Sequence, residues 1–379
     1  MDDIYKQSLA LHQKHRGKIE VISKVPLANK EDMSLAYTPG VAEVCTEIAR
    51  DINLSYEYTI KGNSVAIVSD GSAILGLGNL GAHAAVPVME GKAVIFKEFA
   101  GIDAFPICVN TQSVDEIVAL VKNISPVFGA INLEDISAPH CFEIESRLRA
   151  ELPIPVMHDD QHGTATVVLA GLINALKLRE SDKETVRVVM SGAGAAGTAT
   201  AKILLAYGFK NIIICDSKGA VYEGRADLSS EKKILAQITN KKKRNGTLAE
   251  VIVGADIFIG VSRGELLNTD MVRTMAKRPI IFALANPIPE IMPDIAKEAG
   301  AFIVATGRSD FPNQINNALV YPGIFRGALD HRIKQFTDKM FLRAAEALAS
   351  YVANPRPDQV LPPIFDKGIV LVIRDAIRE

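Results

Sequence analysis

The sequence predicts an α/β protein: an N-terminal α/β domain carrying catalytic groups, a Rossmann-type dinucleotide-binding domain on a parallel sheet, and C-terminal helices that pack back. Three observations lead there. Met190-Ser191-Gly192-Ala193-Gly194-Ala195-Ala196-Gly197 lies between a Val-rich strand at 186–190 and a proline-free, Ala-rich helix at 195–207. From residue 186 onward strands near 186–190, 211–215, 256–260, 280–284 and 302–304 alternate with helical patterns, as in a parallel sheet covered by helices. Earlier, apolar strands end on paired carboxylates, Glu134-Asp135 and Asp159-Asp160.

At 379 residues, 48% hydrophobic and 23% charged, the chain has room for a substantial core and more than one domain. The expected units are a catalytic domain over 1–160, the Rossmann domain over 161–317, and a helical segment over 318–379 that closes on the first. A net charge of −2 gives no reason to expect nucleic acid or an acidic membrane as partner. No apolar stretch reaches the roughly 20 residues of a membrane span. The acidic start Met1-Asp2-Asp3 has no signal core, and Cys45, Cys108, Cys141 and Cys215 show no C-x-x-C spacing. A cytoplasmic protein with reduced thiols is therefore expected. The run Lys241-Lys242-Lys243-Arg244 reads as a solvated loop.

The elements follow in order. Residues 5–16 and 40–50 read as helices. Between them Ala36-Tyr37-Thr38-Pro39-Gly40-Val41 forms a turn whose Tyr37 either offers its hydroxyl to a cleft or packs its ring. Residues 64–69 read as a strand that Asp70-Gly71 turns. Gly76-Leu77-Gly78-Asn79-Leu80-Gly81 repeats the G-x-G-x-x-G pattern, but Pro87 interrupts the segment where a crossover helix would run. That copy is expected to form a close-approach loop lining the substrate pocket. Residues 93–96 read as a strand with Lys92 at its entry. A Lys partly buried there has a depressed pKa and serves as a base; the alternative is a surface lysine, with Lys97 competing for the role. Ser113 and Glu116 open a helix over 113–123 as a capping box. Phe128–Leu133 is an apolar strand, 140–150 a helix and Pro155–His158 a short strand. Gly163–Leu178 is a long apolar helix bridging two domains, and the last 60 or so residues are mostly helical.

The chemistry-bearing residues sit at the ends of these strands. Gly192 allows the tight turn, Gly194 lets backbone approach a pyrophosphate, and Gly197 lets helix pack on strand. The free N–H groups at Ala195 and Ala196 face the phosphates, and Asp216 at the end of the second strand bonds a ribose hydroxyl. These residues call for NAD. Lys218 competes by offering a cation to the 2′-phosphate of NADP, so both cofactors are expected, with a modest preference for NAD. Two carboxylate pairs beyond strand ends suggest a hard divalent ion, Mg²⁺ or Mn²⁺, although each alone reads equally as a helix cap. His158-Asp159-Asp160-Gln161-His162 resembles a zinc motif, but Pro153, Pro155 and Gly163 argue against a helix through it. Ala285-Asn286-Pro287 and the amides of 313–317 suit a small carboxylate or an amide-bearing ring, or simply make turns.

In this order, Tyr37-Thr38-Pro39-Gly40-Val41, Gly76 to Gly81, Glu90-Gly91-Lys92, Asn132 to Asp135, His158 to Ala165, Ala285-Asn286-Pro287 and Asn316-Asn317 resemble malic enzymes. The likeness runs from about residue 20 to about 330 and is to the short bacterial or archaeal form. It implies oxidation of malate to oxaloacetate with NAD or NADP and Mg²⁺ or Mn²⁺, then decarboxylation to enolpyruvate and tautomerisation to pyruvate. It further implies that Tyr37 is the acid that protonates the enol and Lys92 the base that takes the hydroxyl proton. Glu134, Asp135 and Asp160 match the metal ligands, with Asp159 behind them. Asn286 and Asn317 match substrate-binding amides, joined by Asn316 and Gly76, and Asn286 also adjoins the cofactor. A homodimer or higher assembly is implied as well. One position departs: longer members carry a carboxylate-binding Arg where this chain has Ala73. The competing readings are a metal-free dehydrogenase of the amino-acid type, with Lys92 polarising a carbonyl, and a zinc hydrolase on His158 and His162.

Overall fold

Two sets of short β-branched runs build two sheets. The computed structural model describes residues 2–75 and 77–379, so Gly76 lies outside the described residues, as does Met1. The chain opens with α1 (Asp2–His15), α2 (Lys30–Ala36), α3 (Val41–Arg50) and α4 (Ser55–Tyr58). The first sheet then forms from β1 (Ser64–Ser69), α5 (Ala82–Ala100), β2 (Asp103–Cys108), α6 (Val114–Ile124), β3 (Ala130–Leu133), α7 (His140–Glu151) and β4 (Val156–His158). Its order is β2-β1-β3-β4, all parallel, with Val65 opposite Ala104 on one side and Ala130 on the other. β1 and β3 are buried end to end, as strands of a parallel sheet covered on both faces must be.

Four features of this half differ from the sequence expectation. Residues 93–96 are helical, inside α5, and Lys92 lies mid-helix rather than at a strand entry. Ala85, Met89, Lys92, Ala93 and Phe96 form its buried stripe, and that burial outweighs the hydrogen bond that Pro87 removes. β2 was not expected, because Pro106 interrupts it; as an edge strand it tolerates a residue without an N–H. The helix read from Gly163 begins at Asp159, so the stretch His158–Gly163 is helical from its second residue. The expected capping box at Ser113 is half made. Ser113 accepts the Glu116 N–H, but the Glu116 carboxylate turns to Thr111.

The link to the second half is α8 (Asp159–Arg179), 21 residues that are apolar on nearly all sides and packed against later helices. The second sheet comprises β5 (Arg187–Ser191), α9 (Ala195–Tyr207), β6 (Asn211–Asp216), β7 (Gly219–Ala220), α10 (Ser230–Ile238), α11 (Leu248–Val251), β8 (Ile257–Gly260), α12 (Thr269–Thr274), β9 (Ile280–Ala283), α13 (Pro293–Glu298) and β10 (Ile303–Thr306). Its order, β10-β9-β8-β5-β6-β7, is the doubly wound Rossmann order, parallel except for β7. The strand order reverses between β5 and β8, and a crevice opens there.

α14 (Tyr321–Asp330), α15 (Asp338–Tyr351) and α16 (Gly368–Ala376) return to the first half, as expected. Arg326 Nη1 donates to Asn63 Oδ1 at 2.6 Å, and Leu329 fills the space that the missing side chain of Gly129 leaves. Buried Asn174 of α8 donates to the carbonyls of Ala349 and Val360, both at 2.9 Å, and Asn313 accepts the Val360 N–H at 2.8 Å. Among the described residues, no helix is long and apolar enough to cross a membrane.

Candidate active site

A cavity of about 680 Å³ lies beyond the carboxyl ends of both sheets, where ligands of open α/β folds bind. Its charged wall comes from three elements. β3 ends in Glu134-Asp135, and Asp135 adopts φ +52°, a left-handed turn conformation that Asp tolerates. α8 begins with Asp159 and Asp160, anions placed at a helix N-terminus. α5 contributes Lys92 from its buried stripe.

One oxygen each of Glu134, Asp135 and Asp160 lies within 4.8 Å of the other two. Asp160 Oδ2 accepts the Asp135 backbone N–H at 3.0 Å, while Asp135 Oδ2 is buried with no protein partner among the described residues. Burial pushes the Asp135 carboxyl up to about 9, with Asp160 and Glu134 adding repulsion. Glu134 is pushed up to about 7 by burial and by Asp160, against the pull of Lys92. A set of close, acceptor-only oxygens whose charges repel fits a hard divalent cation.

Lys92 Nζ sits 2.5 Å from Glu134 Oε1 and 2.5 Å from Asp159 Oδ2, and 4.4 Å from the centre of the Tyr321 ring. Burial alone would lower its pKa, but Asp159 and Glu134 hold it well above the ordinary lysine value. This corrects the expected depressed pKa, which left out both carboxylates. Asp159 is fully buried behind the three candidate ligands, and only a glycine fits beside it: a Cβ on Gly163 would fall 1.9 Å from Asp159 Oδ1.

The two histidines both lie beside Glu145: the His158 backbone N–H donates to Glu145 Oε1 at 3.0 Å, and His158 Nε2 lies 3.7 Å from Asp160 Oδ2. His162 Nε2 lies 2.9 Å from Glu145 Oε1 with its ring stacked on Phe341 at 4.7 Å. His158 is fully buried, and burial brings its pKa down to about 4. Asn286, Asn316 and Asn317 do line the cavity, whereas Asn313 is the buried brace of the C-terminal segment. Ala73 lines it too. Tyr37 does not. It is 64% exposed at the end of α2, and neither α2 nor α3 buries a residue. Tyr321 does reach the cavity; it is buried, and its hydroxyl has no partner among the described residues. It was missed because an aromatic in the apolar run around Val320 reads as core.

A second cavity, about 580 Å³, runs from Gly192 and Gly194 to Asp216 and Lys218, and Ser262 borders both cavities. Gly192 has φ +115°, and a Cβ on Gly197 would fall 1.9 Å from Gly192 O, whereas Gly194 faces open space. Such a turn, with Ala195 and Ala196 opening α9, is a cradle for a pyrophosphate. Asp216 is not bare. Its Oδ2 accepts from Arg225 at 2.5 Å and Lys232 at 2.7 Å, and its Oδ1 from the Lys218 N–H at 3.0 Å. Burial alone would raise Asp216, but these bonds hold its carboxyl far below the usual carboxylate range. The Lys218 ammonium instead meets Asp227 at 2.9 Å. Arg225 and Lys232 were not foreseen, since no spacing rule links them to Asp216.

Two family models match the chain: "Malic enzyme, N-terminal domain" over residues 16–149 and "Malic enzyme, NAD binding domain" over 161–368. The bifunctional malic/malolactic enzyme of Bacillus subtilis is 56% identical over 375 residues, covering 98% of this chain and 92% of that one. The NAD-dependent malic enzyme of Geobacillus stearothermophilus is 54% identical, covering 96% and 76%. The crystal structure of an NAD-dependent malic enzyme from Thermotoga maritima superposes with a TM-score of 0.95 at 49% identity, over 98% of both chains.

Proposed function

The chain belongs to the malic enzyme family, and we propose that it oxidises L-malate to oxaloacetate with NAD or NADP and a divalent cation, then decarboxylates oxaloacetate to pyruvate and CO₂. The observation that carries this reading is the placement of Lys92 against Glu134, Asp135 and Asp160 at the inner end of the dinucleotide crevice. Glu134, Asp135 and Asp160 would hold Mg²⁺ or Mn²⁺, which supplies the positive charge that stabilises a developing alkoxide and enolate. Gly192, Gly194 and Asp216 would hold the dinucleotide, whose nicotinamide would supply the hydride acceptor.

Lys92 takes the hydroxyl proton. Asp159 and, less strongly, Glu134 keep its pKa high against burial, so engaging Glu134 in a cation would weaken that hold without removing it, and Lys92 accepts the hydroxyl proton as the neutral amine. Asp159 keeps the Lys92 amino group aimed into the cavity. Asn286 and Asn317 offer amide N–H groups to the substrate carboxylates, in the absence of an Arg at Ala73.

The enol proton comes from Tyr37 of a second copy of the chain. Supporting this, α2 and α3 present Met33, Leu35, Tyr37 and Val44 to the outside and bury nothing within one copy. Apolar surface of that kind is covered by a partner in a symmetric dimer.

Coupled NAD(P)H absorbance and pyruvate assays with malate and Mn²⁺ test the activity. Mixing inactive Lys92→Ala with inactive Tyr37→Phe chains tests the shared site. Hybrid dimers restore about a quarter of wild-type activity if Tyr37 crosses between copies, and nothing if it serves its own chain.

A further inference from the structure

Three neighbouring strands, β5, β8 and β9, end at the mouth of the dinucleotide crevice, and one buried carboxylate ties the loops beyond two of them. Glu290 is fully buried. Its Oε1 accepts the Ser262 N–H at 3.1 Å, just past β8, and its Oε2 accepts the Ala285 N–H at 3.0 Å, just past β9. Among the described residues no cation pairs with it, and burial pushes its carboxyl up to about 7. A buried carboxyl without a counter-charge is costly, so what it does here is geometric: it accepts two N–H groups from two loops at once.

The surroundings are shaped to admit it. A Cβ on Gly260 would fall 2.2 Å from Glu290 Cδ, so this position in β8 has room for the carboxyl only as glycine. The clamp reaches the third strand through Ser262, whose Oγ lies 2.9 Å from Ser191 Oγ, while the Val261 N–H donates to Ser191 O at 2.9 Å. Gly192 follows directly, and a Cβ there would fall 2.7 Å from Val261 O. Backbone bonds from Glu265 to Pro289 O and from Leu267 to Glu290 O close the two loops together. Ser262, Ala285 and Asn286 all line the cavity that holds Lys92.

We propose that Glu290 is a positioning residue for the nicotinamide end of the cofactor, seated by Gly260 and fixing the 261–262 and 284–286 loops against the glycine turn. The inference rests on the reading that the crevice binds a dinucleotide with its reactive end beside Lys92. Glu290→Gln keeps the shape but turns an NH₂ toward one of the two N–H groups. Gly260→Ala displaces the same carboxyl without altering its charge.

NADH binding is followed by the nucleotide's own fluorescence, in a chain that has no Trp. In both variants the NADH Kd and the KM for NAD(P) rise about 10- to 100-fold, the scale of a misplacement near 1 Å. The KM for malate and the decarboxylation of added oxaloacetate shift several-fold less than the cofactor readouts, because Asn286 is the one substrate-facing amide in the displaced loops and Asn317, Lys92 and the carboxylates lie outside them. Unchanged NADH binding, or equal loss of NADH binding, malate KM and oxaloacetate decarboxylation, overturns the proposal. Wild-type enzyme that binds no NADH sinks the underlying dinucleotide reading instead.

Discussion

Lys92 is a cation enclosed by carboxylates, and its neighbours decide what it can do. Replacing it with Ala leaves Glu134 and Asp159 facing each other without a counter-charge, a situation a divalent ion at the proposed site would relieve at Glu134. Lys92→Ala is therefore expected to lose malate oxidation by about 100-fold or more while still binding NADH in the presence of Mn²⁺. Turnover near wild type would move the base to a water or to Lys97, which is exposed and paired with Asp103. Cofactor choice is a second question at this scale. A bare Asp216 would repel a 2′-phosphate, but two cations already compensate its charge, and the Lys232 side chain is 30% exposed to the cavity. Lys232→Ala should raise the KM for NADP several-fold more than that for NAD, whereas Lys218→Ala changes the ratio little because Lys218 is engaged by Asp227. A larger effect at Lys218 than at Lys232 would reverse this assignment.

Elements were legible where chemistry and periodicity coincide. β3, β4, β5 and β6 could be read because each is a short apolar run ending in a charged or glycine-rich turn, and those turns are the site. α5 could not, because Val94-Ile95-Phe96 after a Pro looks like a strand, and only the packing of Ala85, Met89 and Phe96 on the core shows otherwise. The position of Tyr37 was illegible for a different reason: a Tyr in a Pro-Gly turn reads equally as packing or as cleft-facing, and the fold leaves it exposed and away from the cavity of its own chain. The Arg225 and Lys232 partners of Asp216, 9 and 16 residues away, follow no local pattern either. α8 was read as a bridge, and its interior supplies the test of that role. Asn174→Ala orphans the carbonyls of Ala349 and Val360 and should cost about 1–3 kcal/mol. Leu172→Ala, which empties fully buried space in the same helix, should cost about 2–5 kcal/mol. Denaturant unfolding of both variants measures the difference; a neutral Asn174→Ala would mean that the C-terminal helices dock without that tie.

Across the whole molecule, stability, pH and metal are coupled through the same carboxylates. Folding raises Asp135 from 3.8 to about 9 and Glu134 and Glu290 from 4.5 to about 7, in each case chiefly by burial. In the metal-free protein these groups bind more protons folded than unfolded above their ordinary values, so raising the pH removes stability. His158 and Glu145, brought down to about 4 and about 2, act in the opposite sense, but their contribution is complete above pH 6.5. Lys92, held above its ordinary 10.5, contributes a constant amount below that value. Between pH 6.5 and 9 the raised carboxylates therefore stand alone, and the metal-free Tm should fall as pH rises. Mn²⁺ or Mg²⁺ replaces those protons with a better partner, so the ion should raise Tm more at the alkaline end of this window and flatten the slope. Asp135→Asn should flatten the slope toward pH 9, leaving the part near pH 7 that Glu134 and Glu290 supply, and should remove most of the metal shift, whereas His162→Ala should change neither. Thermal scans at several pH values, with and without Mn²⁺, read all of this directly. If the metal shift instead survives Asp135→Asn and disappears in His162→Ala, the ion is held by histidine and the carboxylate site is wrong.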